Sequence, residues 1–256
     1  MKVIKIDKTK WASGIESLQG SYKVLCPATE GSSSSFKELK KSDTLDLNFQ
    51  NTQLSPKSVL FPQSEIMMEY SLNENDKDHH IMKTANKDYS PRAVIGIRPC
   101  DAKALMLVKL NFDTSDYKDP YWLNLYEATI FVGLACDEPD ETCFCTTAGC
   151  GPYNEEGLDV LLVSSGSDYT AKALTKKGEE LLGKANWTEE GNRKAIDSGK
   201  AAAEEKIKSS VETDKLQNFQ TLELYNAPFW DDVSFACLNC GTCTFACPTC
   251  WCFDIQ

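Results

Sequence analysis

The chain has almost no histidine. His79 and His80 are the only two in 256 residues, and they sit side by side in a charged, loop-like stretch. That scarcity argues against a histidine-built zinc site and against acid–base chemistry on imidazole. Long apolar runs are missing as well. No stretch approaches the roughly 20 apolar residues of a membrane span, so no span is expected. The N-terminus M-K-V-I-K-I-D-K-T-K-W has no signal-peptide core, and a cytoplasmic protein is expected. Positive charge is short. Against 38 Asp and Glu stand 27 Lys and Arg, a net charge of −11, which argues against a nucleic-acid partner, because phosphates demand a basic face. No G-x-G-x-x-G fingerprint occurs. The string G-E-E-L-L-G-K-A from Gly178 to Ala185 is a poor phosphate loop. It lacks the Ser or Thr that meets magnesium and puts glutamates where amides should cradle phosphate.

What is abundant is cysteine, 12 residues in all. Without an export signal this does not read as a disulfide scaffold, and metal or redox use is the better reading. The segment C-L-N-C-G-T-C-T-F-A-C-P places Cys237, Cys240, Cys243 and Cys247 at the C-x2-C-x2-C-x3-C-P spacing of a bacterial-type ferredoxin. Three cysteines at three-residue intervals let one tight loop wrap a [4Fe–4S] cubane. Gly241 gives the loop access to positive φ, and Pro248 closes it. The rival is structural zinc, which favours separated C-x2-4-C pairs. In two-cluster ferredoxins the cysteine before proline serves the other cluster. A second such block is absent here, so a missing C-terminal part is expected, with Cys250 and Cys252 as the nearest spare thiols.

The middle of the chain reads as α/β. A-V-I-G-I-R-P-C-D is a buried strand followed by the helix A-K-A-L-M-L-V-K-L, with Asp101 as its expected N-cap. A-T-I-F-V-G-L-A-C and L-D-V-L-L-V-S-S are two more continuous apolar strands. Such strands separated by helices predict a mixed or parallel sheet with flanking helices. Residues 56–67 read as a proline-bracketed apolar strand leading into an extended or turn segment, 171–184 and about 188–210 as charged helices, and G-S-S-S-S-F as a flexible turn, either a hairpin or a mobile loop. The expected organisation is an α/β domain over 1–210, then a ferredoxin-like cluster-binding segment over 211–256.

A second cysteine constellation follows from that reading. Cys100 and Cys136 each stand at the C-terminal end of an apolar strand, and Cys143 and Cys145 come soon after Cys136. Carboxyl ends of strands line the ligand crevice of open α/β sheets, so the four thiols are expected to converge and to hold a second [4Fe–4S] cluster. Buried inert cysteines and a zinc site are the alternatives. Arg98 is expected either to face an anionic cluster or to form an ordinary ion pair with Asp101 or another acid. Cys26 reads as a core cysteine and Cys150 as a spare ligand in a glycine-rich turn.

The strings V-L-F-P-Q-S-E-I-M, G-I-R-P-C-D-A-K-A-L, D-P-Y-W, V-G-L-A-C-D-E-P with C-F-C-T-T, and C-L-N-C-G-T-C-T-F-A-C-P-T-C-W-C-F-D occur in one order from about residue 55 to 256. As a set they resemble the 4Fe–4S dicluster electron-transfer proteins related to those of anaerobic sulfite reductase and to sulfhydrogenase beta subunits. The resemblance implies a non-catalytic iron–sulfur subunit of a multi-subunit anaerobic oxidoreductase. Its expected partners are a flavin- and NAD(P)H-binding subunit, which would carry the FAD, and a catalytic redox subunit of hydrogenase or sulfite/sulfur reductase type. The chain departs from the family pattern in ending at Gln256 and in placing Cys150 where a glycine is expected. Two other readings are a zinc-binding structural module and a catalytic reductase acting at Cys100–Cys145.

Overall fold

The computed structural model describes residues 2–30, 33–40, 45, 47–214 and 221–256. In chain order the elements are β1 (Val3–Asp7), α1 (Trp11–Gln19), β2 (Lys23–Glu30), β3 (Ser33–Glu38), β4 (Met68–Glu69), β5 (Lys83–Thr84), β6 (Arg92–Ile97), α2 (Pro99–Phe112), α3 (Pro120–Ala128), β7 (Thr129–Leu134), β8 (Val160–Ser165), β9 (Asp168–Ala173), α4 (Lys176–Lys184), α5 (Lys194–Glu204), α6 (Thr221–Tyr225), α7 (Phe229–Ser234) and α8 (Thr242–Ala246). Seven strands form one sheet in the order β1-β9-β8-β7-β6-β2-β3. The inner run β8-β7-β6-β2 is parallel, and the β1–β9, β8–β9 and β2–β3 pairs are antiparallel. The sheet is therefore mixed, with flanking helices, and a cysteine-rich segment follows it, as the strand patterns predict.

Continuous apolar strands are needed because both faces are covered. All six residues of β7 are buried, as are five of six in β6. Alternate residues feed two cores. Ala93, Ile95, Val132 and Leu162 pack with Ile15 and Leu18 of α1 and Leu181 and Leu182 of α4. Val94, Phe131 and Leu161 pack with Leu105 and Val108 of α2, Trp122 and Leu125 of α3, and Ile196 of α5. Each fully buried Ile or Leu, such as Ile95 or Leu161, stabilises the fold by about 1.5–3 kcal/mol over an exposed one. Cys26 lies in the first core, 3% exposed, as expected.

Several local expectations are corrected. The helix after β6 begins at Pro99, with Arg98 as its N-cap residue, so Asp101 stands inside the first turn. Proline at N1 sets this start, because its fixed φ suits the helix and its missing N–H would be unpaired there anyway. Residues 56–59 form a 3-10 turn rather than a strand, with the Ser55 hydroxyl accepting from the Lys57 N–H. D-Y-T-A-K-A is a strand, not the start of a helix, since β9 is held by ladders on both sides. Its buried Lys172 is paired with Glu155. The helix expected over 188–210 is confined to α5. The turn expected at G-S-S-S-S-F falls in part on residues 31 and 32, outside the described residues, and so does 215–220 of the expected linker.

Candidate functional site: two cysteine constellations

The first constellation is built at the C-terminal ends of β6 and β7. Gly96 adopts a φ of +89, and the β6–β7 register shifts between Ile95 and Ile97. A bulge at this position re-aims the chain leaving β6, and only glycine adopts that φ without strain. Arg98, Pro99 and Cys100 follow immediately. On the neighbouring strand, β7 runs out at Leu134, and the Cys136 N–H donates to the Pro152 carbonyl at 3.0 Å. The loop carrying Cys143 and Cys145 then folds tightly. The Cys143 N–H donates to the Asp140 carbonyl at 3.0 Å, and the Cys145 carbonyl accepts from Ala148 at 3.1 Å and from Cys150 at 3.0 Å. Gly149, at φ +65, closes that turn and returns Cys150 to Cys145.

These thiols feel one another. Cys100 interacts electrostatically with Cys150, Cys145 and Cys136, Cys136 with Cys143, and Cys145 with Cys150, Cys143 and Cys136. Cys100 has a solvent-open side yet is closely surrounded. Burial first, then the Asp101 charge and the neighbouring thiols, push its thiol well above the usual range. Burial likewise raises Cys136 and Cys150 and, with Cys150 and Cys143, lifts Cys145 to about 11. Cys150, which sequence grounds place below the other four, thus stands among them. The positive φ of Gly149 places it there.

Arg98 decides whether an anionic group suits the site. The guanidinium is buried. Its Nη1 donates to the carbonyls of Leu134 at 3.2 Å and Ala135 at 2.8 Å, and its Nη2 donates to that of Phe49. Its Nε has no hydrogen-bond partner, and among the described residues it makes no ion pair. The expected contact pair with Asp101 is not formed, although the two charges influence each other and burial pushes the Asp101 carboxyl up to about 6. A buried cation without a contact anion, beside Cys136 and Cys100, fits a thiolate-bound cluster. The segment after α5 straps the loop. Lys206 donates to the Asp137 carbonyl at 2.9 Å and to Glu138 at 2.6 Å, and the Ser209 hydroxyl donates to the Glu141 carbonyl at 2.6 Å.

The second constellation is the C-terminal loop. Positive φ at Asn239 and Gly241, 53 and 71, curls it between the cysteines, as the glycine predicts. The Asn239 N–H points at Cys237 Sγ at 3.4 Å. The Thr242 hydroxyl lies 3.3 Å from Cys240 Sγ, and hydrogen bonds from Thr242 lower that thiol. At Cys247 burial raises the thiol, but hydrogen bonds from Thr249 and Cys250 together lower it, with the Thr249 hydroxyl 3.1 Å away. Donors aimed at sulfur suit thiolates that carry iron. The loop meets the α/β body through Trp251, 6.0 Å from Phe112, and Phe253, 6.1 Å from Phe61. Lys57 is a contact that sequence reasoning missed. Its ammonium donates to backbone carbonyls of the loop. Among the described residues, no three His, Cys, Asp or Glu side chains close to single-ion spacing.

No family model matches the chain. Over its whole length it is 25% identical to Sulfhydrogenase 2 subunit beta of Pyrococcus furiosus, 74% of which is covered. The likeness to sulfhydrogenase beta subunits, carried in the sequence by its motifs from about residue 55, therefore extends across the entire chain.

Proposed function

We propose that the chain is an iron–sulfur electron-transfer subunit of a multi-subunit oxidoreductase, with one [4Fe–4S] cluster in each cysteine constellation. The ligands are Cys237, Cys240, Cys243 and Cys247 in the C-terminal loop, and Cys100, Cys136, Cys143 and Cys145 at the strand ends. When bound, the clusters supply one-electron oxidation and reduction. The chain's own residues hold and tune them. Arg98 sets a buried positive charge beside Cys100 and Cys136, and the backbone of Asn239 and the hydroxyls of Thr242 and Thr249 face loop sulfurs. The observation that carries the reading is the placing of Cys100 and Cys136 after the ends of two adjacent parallel strands, beside a buried arginine that forms no ion pair among the described residues. The whole-length likeness to a sulfhydrogenase beta chain supports it. In this reading the α/β domain spans 1–210 and the ferredoxin-like segment 211–256. The protein is cytoplasmic, works anaerobically, and relays electrons between a flavin- and NAD(P)H-binding partner, which carries the FAD, and a catalytic hydrogenase or sulfur-reducing partner. Replacing Cys240 with Ala tests the relay. Transfer from the flavin partner to the catalytic partner is lost while each partner's own half-reaction persists, and surviving turnover of the assembled complex contradicts it.

One observation favours a second reading, a catalytic reductase at the strand-end site. Cys150 bears electrostatically on Cys100 and Cys145, so a four-cornered cluster held there would leave one of the five thiols without iron. Substrate reduction by the isolated chain with an artificial reductant would favour this reading, and its absence would favour the relay.

A further inference from the structure

Lys57 occupies a position that the ligand chemistry alone does not require. Its backbone is fixed in the 3-10 turn Pro56–Val59. The Leu60 and Phe61 N–H groups donate to its carbonyl at 3.0 and 2.8 Å, and Pro56, Val59 and Leu60 are buried in the α/β body. From this anchored base the side chain crosses to the C-terminal segment. There the ammonium donates to the carbonyls of Thr244 at 3.1 Å, Cys247 at 2.8 Å and Cys250 at 3.3 Å. An ammonium has three N–H donors and no acceptor, so these contacts use all of them. Among the described residues Lys57 pairs with no carboxylate. The Thr244 and Cys247 carbonyls belong to the last turn and C-cap of α8, where helix carbonyls lack partners within the helix. The loop needs such a hold, because among its described residues none from 222 to 256 is buried.

We propose that Lys57 is a positioning residue that seats the C-terminal cysteine loop on the α/β body and places a positive charge beside the cluster which that loop binds. This rests on the iron–sulfur reading above. Its ammonium lies 2.8 Å from the carbonyl of Cys247, a ligand in the reading above. A cation so placed favours the reduced, more negative state of a neighbouring redox group, so removing it shifts the reduction equilibrium toward the oxidised state. At an effective dielectric of about 20, a charge roughly 10 Å away contributes about tenfold to that equilibrium, about 59 mV for a one-electron couple.

The test compares the full-length wild-type chain with Lys57→Met and Lys57→Arg, purified anaerobically. Iron and acid-labile sulfide are measured, reduction is followed potentiometrically by EPR, and amide exchange is followed across residues 242–250. The expected result is that Lys57→Met shifts the reduction equilibrium of one cluster signal about tenfold toward the oxidised state and speeds exchange in 242–250 by a similar factor. Lys57→Arg, which keeps the charge, restores the wild-type potential, and exchange in β6 and β7 does not change. Unchanged potentials together with unchanged exchange in Lys57→Met overturn the proposal. If Lys57→Met empties the loop of iron, exchange in metal-free samples of wild type and variant decides. Faster exchange in 242–250 of the variant supports the seating, and equal exchange overturns it. A wild-type chain that holds zinc and no sulfide would sink the iron–sulfur reading instead, and the metal-free comparison would still settle the seating.

Discussion

At the scale of single residues, Arg98 shows how far chemistry can be read from sequence. Its neighbours R-P-C-D mark it as interesting, and a cluster-facing cation or an Asp101 partner are the two natural readings. What the sequence does not display is that its Nη1 and Nη2 donate to carbonyls of Leu134, Ala135 and Phe49, because those groups arrive from the end of β7 and from a distant loop. Arg98→Leu strips those buried carbonyls of charged donors and should destabilise the body by about 2–4 kcal/mol in urea unfolding. Iron uptake should also fall, and wild-type stability with full iron would contradict this role. Gly96 is the complementary case. A side chain there is strained at φ +89 and meets Leu47 at 3.0 Å, so Gly96→Ala should cost about 1–3 kcal/mol, read as a lowered unfolding midpoint.

Among the elements, the three apolar strands are legible because short continuous apolar runs bounded by turn residues suit strands covered on both faces, and Cys100 and Cys136 follow directly from where two of those strands stop. Strand β9 is not. A-K-A carries helix-favouring residues, and its strand state depends on ladders to β1 and β8 and on the Lys172–Glu155 pair, all of which are tertiary. The place of Cys150 is hidden for a similar reason, since its return to Cys145 depends on one positive-φ glycine. Helix α5 bears on the site through packing. A Cβ at Gly199 would meet the Tyr153 hydroxyl at 2.1 Å, and that hydroxyl donates to Asp137, next to Cys136. Gly199→Ala should therefore displace Tyr153, cost about 1–3 kcal/mol and weaken iron retention at the strand-end site. An unaltered EPR signal from that site would show that the helix does not support it.

Taken whole, the molecule has an uneven distribution of stability. Among the described residues nothing beyond Ala203 is buried, so the sheet and its helices hold themselves, while on the proposed reading the C-terminal segment would depend on its cluster and on a few contacts with the body. Binding energy at a structural metal site is folding energy. Chelating the iron should therefore leave most of the far-ultraviolet circular dichroism intact while opening residues 222–256 to proteolysis, and cooperative loss of the whole fold would contradict this division. The central claim, two clusters on one chain, is met most directly by measuring iron and acid-labile sulfide per chain on anaerobically purified protein, with EPR of the reduced sample. The account predicts roughly eight irons and as much sulfide, at four per cubane, and two interacting or overlapping signals. About four irons would return Cys100, Cys136, Cys143 and Cys145 to structural cysteines, and zinc without sulfide would contradict the electron-transfer assignment itself.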